Sequence, residues 1–442
     1  MKNKLKNILD LLMISIPFID FAYYMNMPNM PDIRLTYLFY LTYFIVYIKG
    51  FFDKKIIVPV IKDFKKILIV LILIIFFSIY NILIDNNTAI LFLKQITITL
   101  FIAFTTFMFF YNHKGNIKYI IDLYLKFSFF VACFGIFQEF SYLIGFFAGY
   151  DYSSWKISHQ IGISGFMLRI TSIAGEPPHL AGAMIPAFYI SLHSFLTDTK
   201  YFLNKYQSLA VIICLFLTYS TVGYIAILLS FASILFWDFK KIILKKLFIF
   251  IIIGFALFSL GSNGITMRIN HTYKEIDRIT FKSLAENNSE KEAVSTRFIN
   301  ETTYYMVLHA QRAFEDLKTN PLFGTGMGSY TYPKNAIKNY EKFHYNSFFK
   351  VSTDDVFNTL FRITSEFGLF GIIILFAFIF YNYIFNFTFR NRTNYFIIIN
   401  NAFLIYLLLR IVKNNGYYSD GLWIFIFMYY YSKQLFLEQN KK

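Results

Sequence analysis

Charge is scarce in this chain. Of its 442 residues only 15% are Asp, Glu, Lys or Arg, while 57% are apolar and 21% aromatic, and mean hydropathy is +0.50. A soluble domain carries about 25% charged residues and about 45–50% apolar ones, so the balance excludes a soluble globular enzyme and a disordered chain alike. Cysteine is nearly missing. Cys133 and Cys214 are the only two, both in apolar stretches, which rules out a cysteine zinc site and a CxxC redox motif. No phosphate-binding GK[ST] follows any glycine run, and no glycine pattern has the dinucleotide-binding spacing, so a nucleotide-driven machine finds no support.

What the sequence has in quantity is apolar length. KILIVLILIIFFSIYNILI (66–84) and LFIFIIIGFALFSLG (247–261) are each about long enough to cross a bilayer as a helix. Hydropathy predicts about twelve spans, near 8–26, 33–51, 66–84, 89–110, 118–147, 178–196, 205–219, 222–237, 245–261, 368–387, 395–412 and 421–436. The expected fold class is an all-α, polytopic integral membrane protein. The basic start of the chain is not followed by a small-residue cleavage site, so it reads as a retained first span.

The net charge of +16 could suggest nucleic acid, but its distribution argues against that partner. Lys49, Lys54, Lys55, Lys62, Lys65 and Lys66 crowd one short loop, and Lys240, Lys241, Lys245 and Lys246 another. This is the positive-inside pattern. With the N-terminus inside, both loops, Arg390–Arg392 and the tail Lys441-Lys442 all fall on the cytoplasmic side. Three parts result: residues 1–261 with nine spans and an outer loop at 148–177, a large extracytoplasmic loop at 262–367, and residues 368–442 with three spans. In the large loop, 295–318 reads as a helix. Met306, Ala310, Ala313, Phe314 and Leu317 line one face, while Arg297, Glu301, Tyr305 and Arg312 fall along another. Asn320-Pro321 ends it. The expectation is a small helical cap on the outer membrane face.

Ionisable residues inside spans are costly and tend to face a cavity or a partner. Asp20, Arg34, Lys94, Glu139 and Arg410 all fall near outer ends; singly each reads as an interfacial snorkelling side chain, and together they suit an outward-facing polar vestibule. Asp122 and Lys126, four apart near an inner end, can pair on one helix face.

Three segments carry candidate chemistry. In LRITSIAGEPPHLAGAMIP (168–186), Arg169 precedes a polar turn and Glu176-Pro177-Pro178-His179 opens a span. Proline suits a first helical turn, whose free N–H groups and positive dipole end suit an anion. An arginine fork adds a match to phosphate oxygens. In NPLFGTGMGSYTY (320–332), alternating glycines after a proline mark a tight backbone turn. In TDDVFNTLFRITSEFGLFGIIILF (353–376), Asp354, Asp355, Asn358, Arg362 and Glu366 lead into a span. The plainer readings are a proline-initiated helix with a capping acid for the first segment and a solvated helix start for the third.

Taken together, Arg169 with GEPPH, LTYSTVGY (217–224), Arg297 ahead of PLFGTG, and SEFGLFG resemble the O-antigen polymerase and ligase superfamily of bacterial polysaccharide assembly proteins. The order of motifs, the number of spans and the large outer loop before the tenth span all match. Ligases of that superfamily carry a His-Asn pair before the Gly-x-x-Gly, whereas Phe357-Asn358 occupies that place here. The departure favours a polymerase over a ligase. A lipid-linked oligosaccharide flippase or transporter is the reading from another class.

The resemblance implies a GT-C-like architecture in the bacterial cytoplasmic (inner) membrane. It also implies polyprenyl-diphosphate-linked oligosaccharides as substrates, with a chain-length regulator and a flippase as further partners beside the lipid bilayer. The leaving diphosphate needs cations in a partly dehydrated site, for which Arg169, Arg297 and Arg410 are the candidates. Arg312 and Asn358 complete the candidate diphosphate- and sugar-binding set. The acceptor hydroxyl needs a base; Glu176 or Asp355 can serve, with His179 third. No cofactor and no metal are expected.

Overall fold

The computed structural model describes residues 2–19, 24–25, 33–52, 86–113, 116–152, 162–164, 166–199, 201–237, 301–331, 358–385, 394–412, 416–417 and 419–440, with isolated positions between 72 and 79 and between 246 and 254. Within them the chain is helical: α1 (Lys2–Ile19), α2 (Leu35–Phe52), α3 (Asn86–Asn112), α4 (Ile117–Leu143), α5 (Pro177–Thr197), α6 (Lys205–Leu217), α7 (Thr221–Trp237), α8 (Glu301–Thr319), α9 (Thr359–Asn382), α10 (Tyr395–Val412) and α11 (Asp420–Gln439). Strand among the described residues is confined to two short antiparallel hairpins, β1 (Tyr24–Met25) with β2 (Ile33–Arg34) and β3 (Gly162–Ser164) with β4 (Met167–Arg169).

This is the all-helical membrane architecture expected from the composition. Among the described residues five helices are long and apolar enough to cross a membrane: Ala89–Asn112 of α3, then α4, α5, α9 and α10. Leu35–Ile48, Lys205–Leu217 and Thr221–Phe236 are shorter apolar helices. The spans expected near 66–84 and 245–261 lie largely outside the described residues. Phe130, Phe137 and Phe140 of α4, Leu228 and Phe236 of α7, and Ile373 and Phe380 of α9 point outward. Lipid accepts such an apolar exterior, and water does not.

Helix α5 occupies the middle. Its most apolar stretch is 83% buried, against 33% for α3 and α9. The sequence allows this through small residues, which let neighbouring backbones approach. Tyr124 of α4 donates to the Ala183 carbonyl at 2.6 Å, and a side chain at Gly223 of α7 would meet Ala181 at 3.5 Å. Aromatic pairs fill the core, among them Tyr406 with Phe425 at 4.2 Å and Phe110 with Tyr431 at 5.4 Å.

The two ends of the bundle differ. At one end α5 and α11 begin and α1 and α10 finish: Gly421 packs on Pro17, and Gly182 on Arg410. Toward the other end, polar side chains tie helices together. Asp10, fully buried, takes His113 Nε2 at 3.0 Å and the Tyr119 hydroxyl at 3.1 Å. Asn400 accepts from the Ile384 N–H at 3.0 Å and donates to the Asn382 carbonyl at 3.0 Å and to Ser432 Oγ at 2.9 Å, joining α9, α10 and α11.

Candidate active site

The chain enters α5 through a short segment pinned by two neighbouring side chains of α4. Gln138 Oε1 accepts from the backbone N–H groups of Thr171 and Ser172 at 3.0 and 2.8 Å. Glu139 Oε1 accepts from the Leu168 N–H at 3.2 Å. Ile170 N–H reaches the Leu217 carbonyl at 3.2 Å. Left-handed Ser172 (φ 49°) and Gly175 (φ 72°) then turn the backbone, and Glu176 takes the extended N-cap position ahead of Pro177 and Pro178. Its side chain makes no capping bond. The carboxylate instead lies 3.6 Å from His179 Nε2. Burial pushes the Glu176 carboxyl above the usual carboxylate range, and the nearby Arg169 guanidinium draws it part of the way back.

Arg410, in the last turn of α10, reaches the same helix opening. It donates from Nη2 to Ser419 Oγ and lies beside Gly182, where a Cβ would stand 3.4 Å from Nη1. Its Nε is buried and has no hydrogen-bond partner among the described residues. A small cavity lies between His179 and Arg410, walled by Phe18, Tyr406 and Gly421. Four residues expected to work together, Arg169, Glu176, His179 and Arg410, are therefore gathered at one helix end. A guanidinium beside free helix N–H groups is suited to an anion, and a carboxyl with a raised affinity for protons is suited to proton transfer.

The other two motifs meet each other. The glycine turn after α8 docks on the start of α9: Thr325 N–H and Gly326 N–H donate to the carbonyls of Ser365 and Glu366 at 2.9 and 2.8 Å, and Leu369 N–H and Phe370 N–H donate back to Pro321 and Leu322 at 2.9 and 3.0 Å. The exchange needs a break in α9, which Gly368 supplies at φ 60°, ψ −151°. A Cβ there would lie 2.7 Å from the Pro321 carbonyl oxygen, so only glycine fits. Beneath the turn, fully buried Arg362 and Glu366 pair at 3.2 Å. Glu366 also accepts from the Gly328 N–H at 3.0 Å and from the Tyr417 hydroxyl at 2.8 Å.

The remaining expected residues divide. Arg297 and Asp355 lie outside the described residues, as do Asp20, Asp354 and Phe357. Asn358 is buried and caps α9, accepting from the Phe361 N–H at 3.1 Å. Arg312 sits under the glycine turn, donating to the Ser329 carbonyl at 3.1 Å and lying 4.6 Å over the Tyr330 ring. Neither Asn358 nor Arg312 is among the residues lining the cavity beside Arg410. Asp122 and Lys126 pair as expected, at 2.7 Å. Arg34 lies in β2 opposite Tyr24, and Lys94 is exposed on α3. Helix α8 ends at Thr319, just before Asn320-Pro321, with Ala313 inward. Phe314, placed on the same face by spacing, is exposed. The sequence reading missed Gln138 and Tyr417 altogether. Among the described residues no group of three or more His, Cys, Asp or Glu side chains comes together to hold a metal.

Comparison with known proteins adds one finding. Residues 208–376 match the O-antigen ligase family. The match covers well under half of the chain and is consistent with the O-antigen polymerase and ligase superfamily that the motifs resemble. The matched stretch runs from α6 into α9 and takes in α8, the glycine turn and the Arg362–Glu366 pair. Arg169, Glu176, His179, Arg410 and Tyr417 flank it. No curated protein and no solved structure matches the chain.

Proposed function

We propose that the protein is a polymerase of polyprenyl-diphosphate-linked oligosaccharide repeat units, acting at the outer face of the cytoplasmic membrane in O-antigen or capsule assembly. The observation that carries the reading is the convergence of Arg169, Arg410, Glu176 and His179 at the open end of α5. A hydroxyl of one repeat unit attacks the anomeric carbon of a lipid-linked chain, the bond to the diphosphate oxygen breaks, and polyprenyl diphosphate leaves. Arg410 and Arg169 stabilise the charge that develops on the leaving group. Glu176 takes the proton from the attacking hydroxyl, and His179, 3.6 Å away, shares it. In this reading about twelve spans place both termini in the cytoplasm and the large loop outside.

The Phe at position 357, where ligases carry histidine, supports polymerase over ligase. The match to a family described as O-antigen ligase keeps the ligase as the second reading. Surface polysaccharide from cells lacking the protein, run beside complemented cells, separates them. Accumulated single repeat units, with the ladder restored on complementation, are the expected result. Full-length polymer left on its lipid carrier identifies a ligase, and repeat units trapped on the inner leaflet identify a flippase.

A further inference from the structure

Among the described residues Arg410 has no acidic partner; it donates to the hydroxyl of Ser419 and lies 6.0 Å over the Tyr406 ring. Ser419 stands at the N-cap of α11 but makes no side-chain capping bond to that helix. Two residues earlier, Tyr417 is held at three points. Its hydroxyl donates to Glu366 Oε2 at 2.8 Å, its carbonyl accepts from Trp423 Nε1 at 2.8 Å, and its ring lies 4.8 Å under the Arg362 guanidinium. Glu366 in turn holds Arg362 and the N–H of Gly328. Two polar runs, from the glycine turn through Glu366 to Tyr417 and from Ser419 to Arg410, are therefore joined by two residues of chain. Because Tyr417 and Ser419 are only two residues apart, they span at most about 7 Å. The short link limits how far Ser419 can stand from Tyr417.

We infer that Glu366 and Tyr417 are positioning residues for Arg410. They tie the guanidinium that faces the diphosphate to the glycine turn of the outer loop, so that the diphosphate site is complete only when that turn is docked on α9. The inference rests on the proposed role of Arg410 in binding diphosphate.

The test is a binding cycle on full-length protein in detergent, with farnesyl diphosphate as the probe and calorimetry as the readout. Arg410→Ala weakens binding by about tenfold or more. Tyr417→Phe keeps the ring under Arg362 but deletes the bond to Glu366, and it weakens binding by about tenfold, the usual weight of a hydrogen bond to a charged group. Ser419→Ala, which leaves Tyr417 and Glu366 untouched, gives the same loss on its own. In the Ser419→Ala background, Tyr417→Phe then adds nothing, because the path to Arg410 is already cut. A merely structural Tyr417 would give losses that multiply, and that result overturns the inference. Wild-type affinity in both Tyr417→Phe and Ser419→Ala, with Arg410→Ala impaired, also overturns it and leaves the functional reading standing. An Arg410→Ala protein that binds as well as wild type, or a wild type that does not bind, overturns the functional reading itself.

Discussion

Glu366→Leu is expected to destabilise the protein more than Arg362→Met does, although the two residues form one ion pair and both are fully buried. Breaking a buried pair leaves a charge in a low dielectric and costs about 3–5 kcal/mol. Arg362→Met leaves the Glu366 carboxylate with two donors, Gly328 N–H at 3.0 Å and the Tyr417 hydroxyl at 2.8 Å, so its cost belongs at about 3 kcal/mol. Glu366→Leu takes the acceptor from both donors as well as from Arg362. Each donor left unsatisfied adds about 1–3 kcal/mol, which brings the total to about 5–8 kcal/mol when the contributions are not fully additive. The gap between the variants is at least about 2 kcal/mol. Unfolding followed by size-exclusion chromatography after heating in detergent gives the order directly. The double variant should lose less than the sum of the singles, since no lone charge remains. An Arg362→Met protein as unstable as Glu366→Leu would refute the reasoning, because the glycine turn and Tyr417 would then contribute nothing to the hold on Glu366.

Three further outcomes follow from the site. Arg169→Lys keeps the charge but loses the planar fork, so polymer ladders should shorten while membrane insertion is unchanged; wild-type lengths would remove Arg169 from the mechanism. If Glu176 is the base, the rate rises with pH through a limb whose midpoint lies above the ordinary glutamate value of about 4.3, since burial raises that group's pKa. Glu176→Gln should abolish both limb and turnover, and undiminished polymerisation would move the role to Asp355. His309 is pushed down to about 4, by burial first and by Arg312 second, while its Nδ1 lies 2.7 Å from the Tyr330 hydroxyl. The unfolded chain then binds the proton more readily, so stability is full above about pH 6.5 and falls as pH drops toward 4, by up to about 3 kcal/mol. His309→Gln should flatten the acid loss of the melting temperature over that window, and an unchanged slope would contradict the assignment.

Much of this was readable from residue order, for local reasons. The proline pair after Glu176 fixes a helix start, Asn320-Pro321 fixes a helix end, and Asp122 with Lys126 needs only helical spacing. The docking of the glycine turn on α9 was not readable. It joins residues about forty apart through backbone groups, which carry no signature in side-chain identity. The outward turn of Phe314 reflects the same limit: periodicity says which residues share a face but not which part of that face finds a partner. Tyr417 is one tyrosine among 34. Its importance comes from three contacts made by a single turn, and nothing in its neighbours announces them.

The polar ties around Asp10 and Asn400 have a further consequence. Asn400 lies ten residues before Arg410 on the same helix, about 15 Å along the axis, and Asp10 lies seven residues before Pro17, about 10 Å away. The bundle is thus buttoned well below the cavity, by bonds that bridge α1 to α3 and α4 and α9 to α10 and α11. Each tie makes one group of helices move as a unit, so shifts at the cavity end have to arise between the two groups or in the chain above the ties.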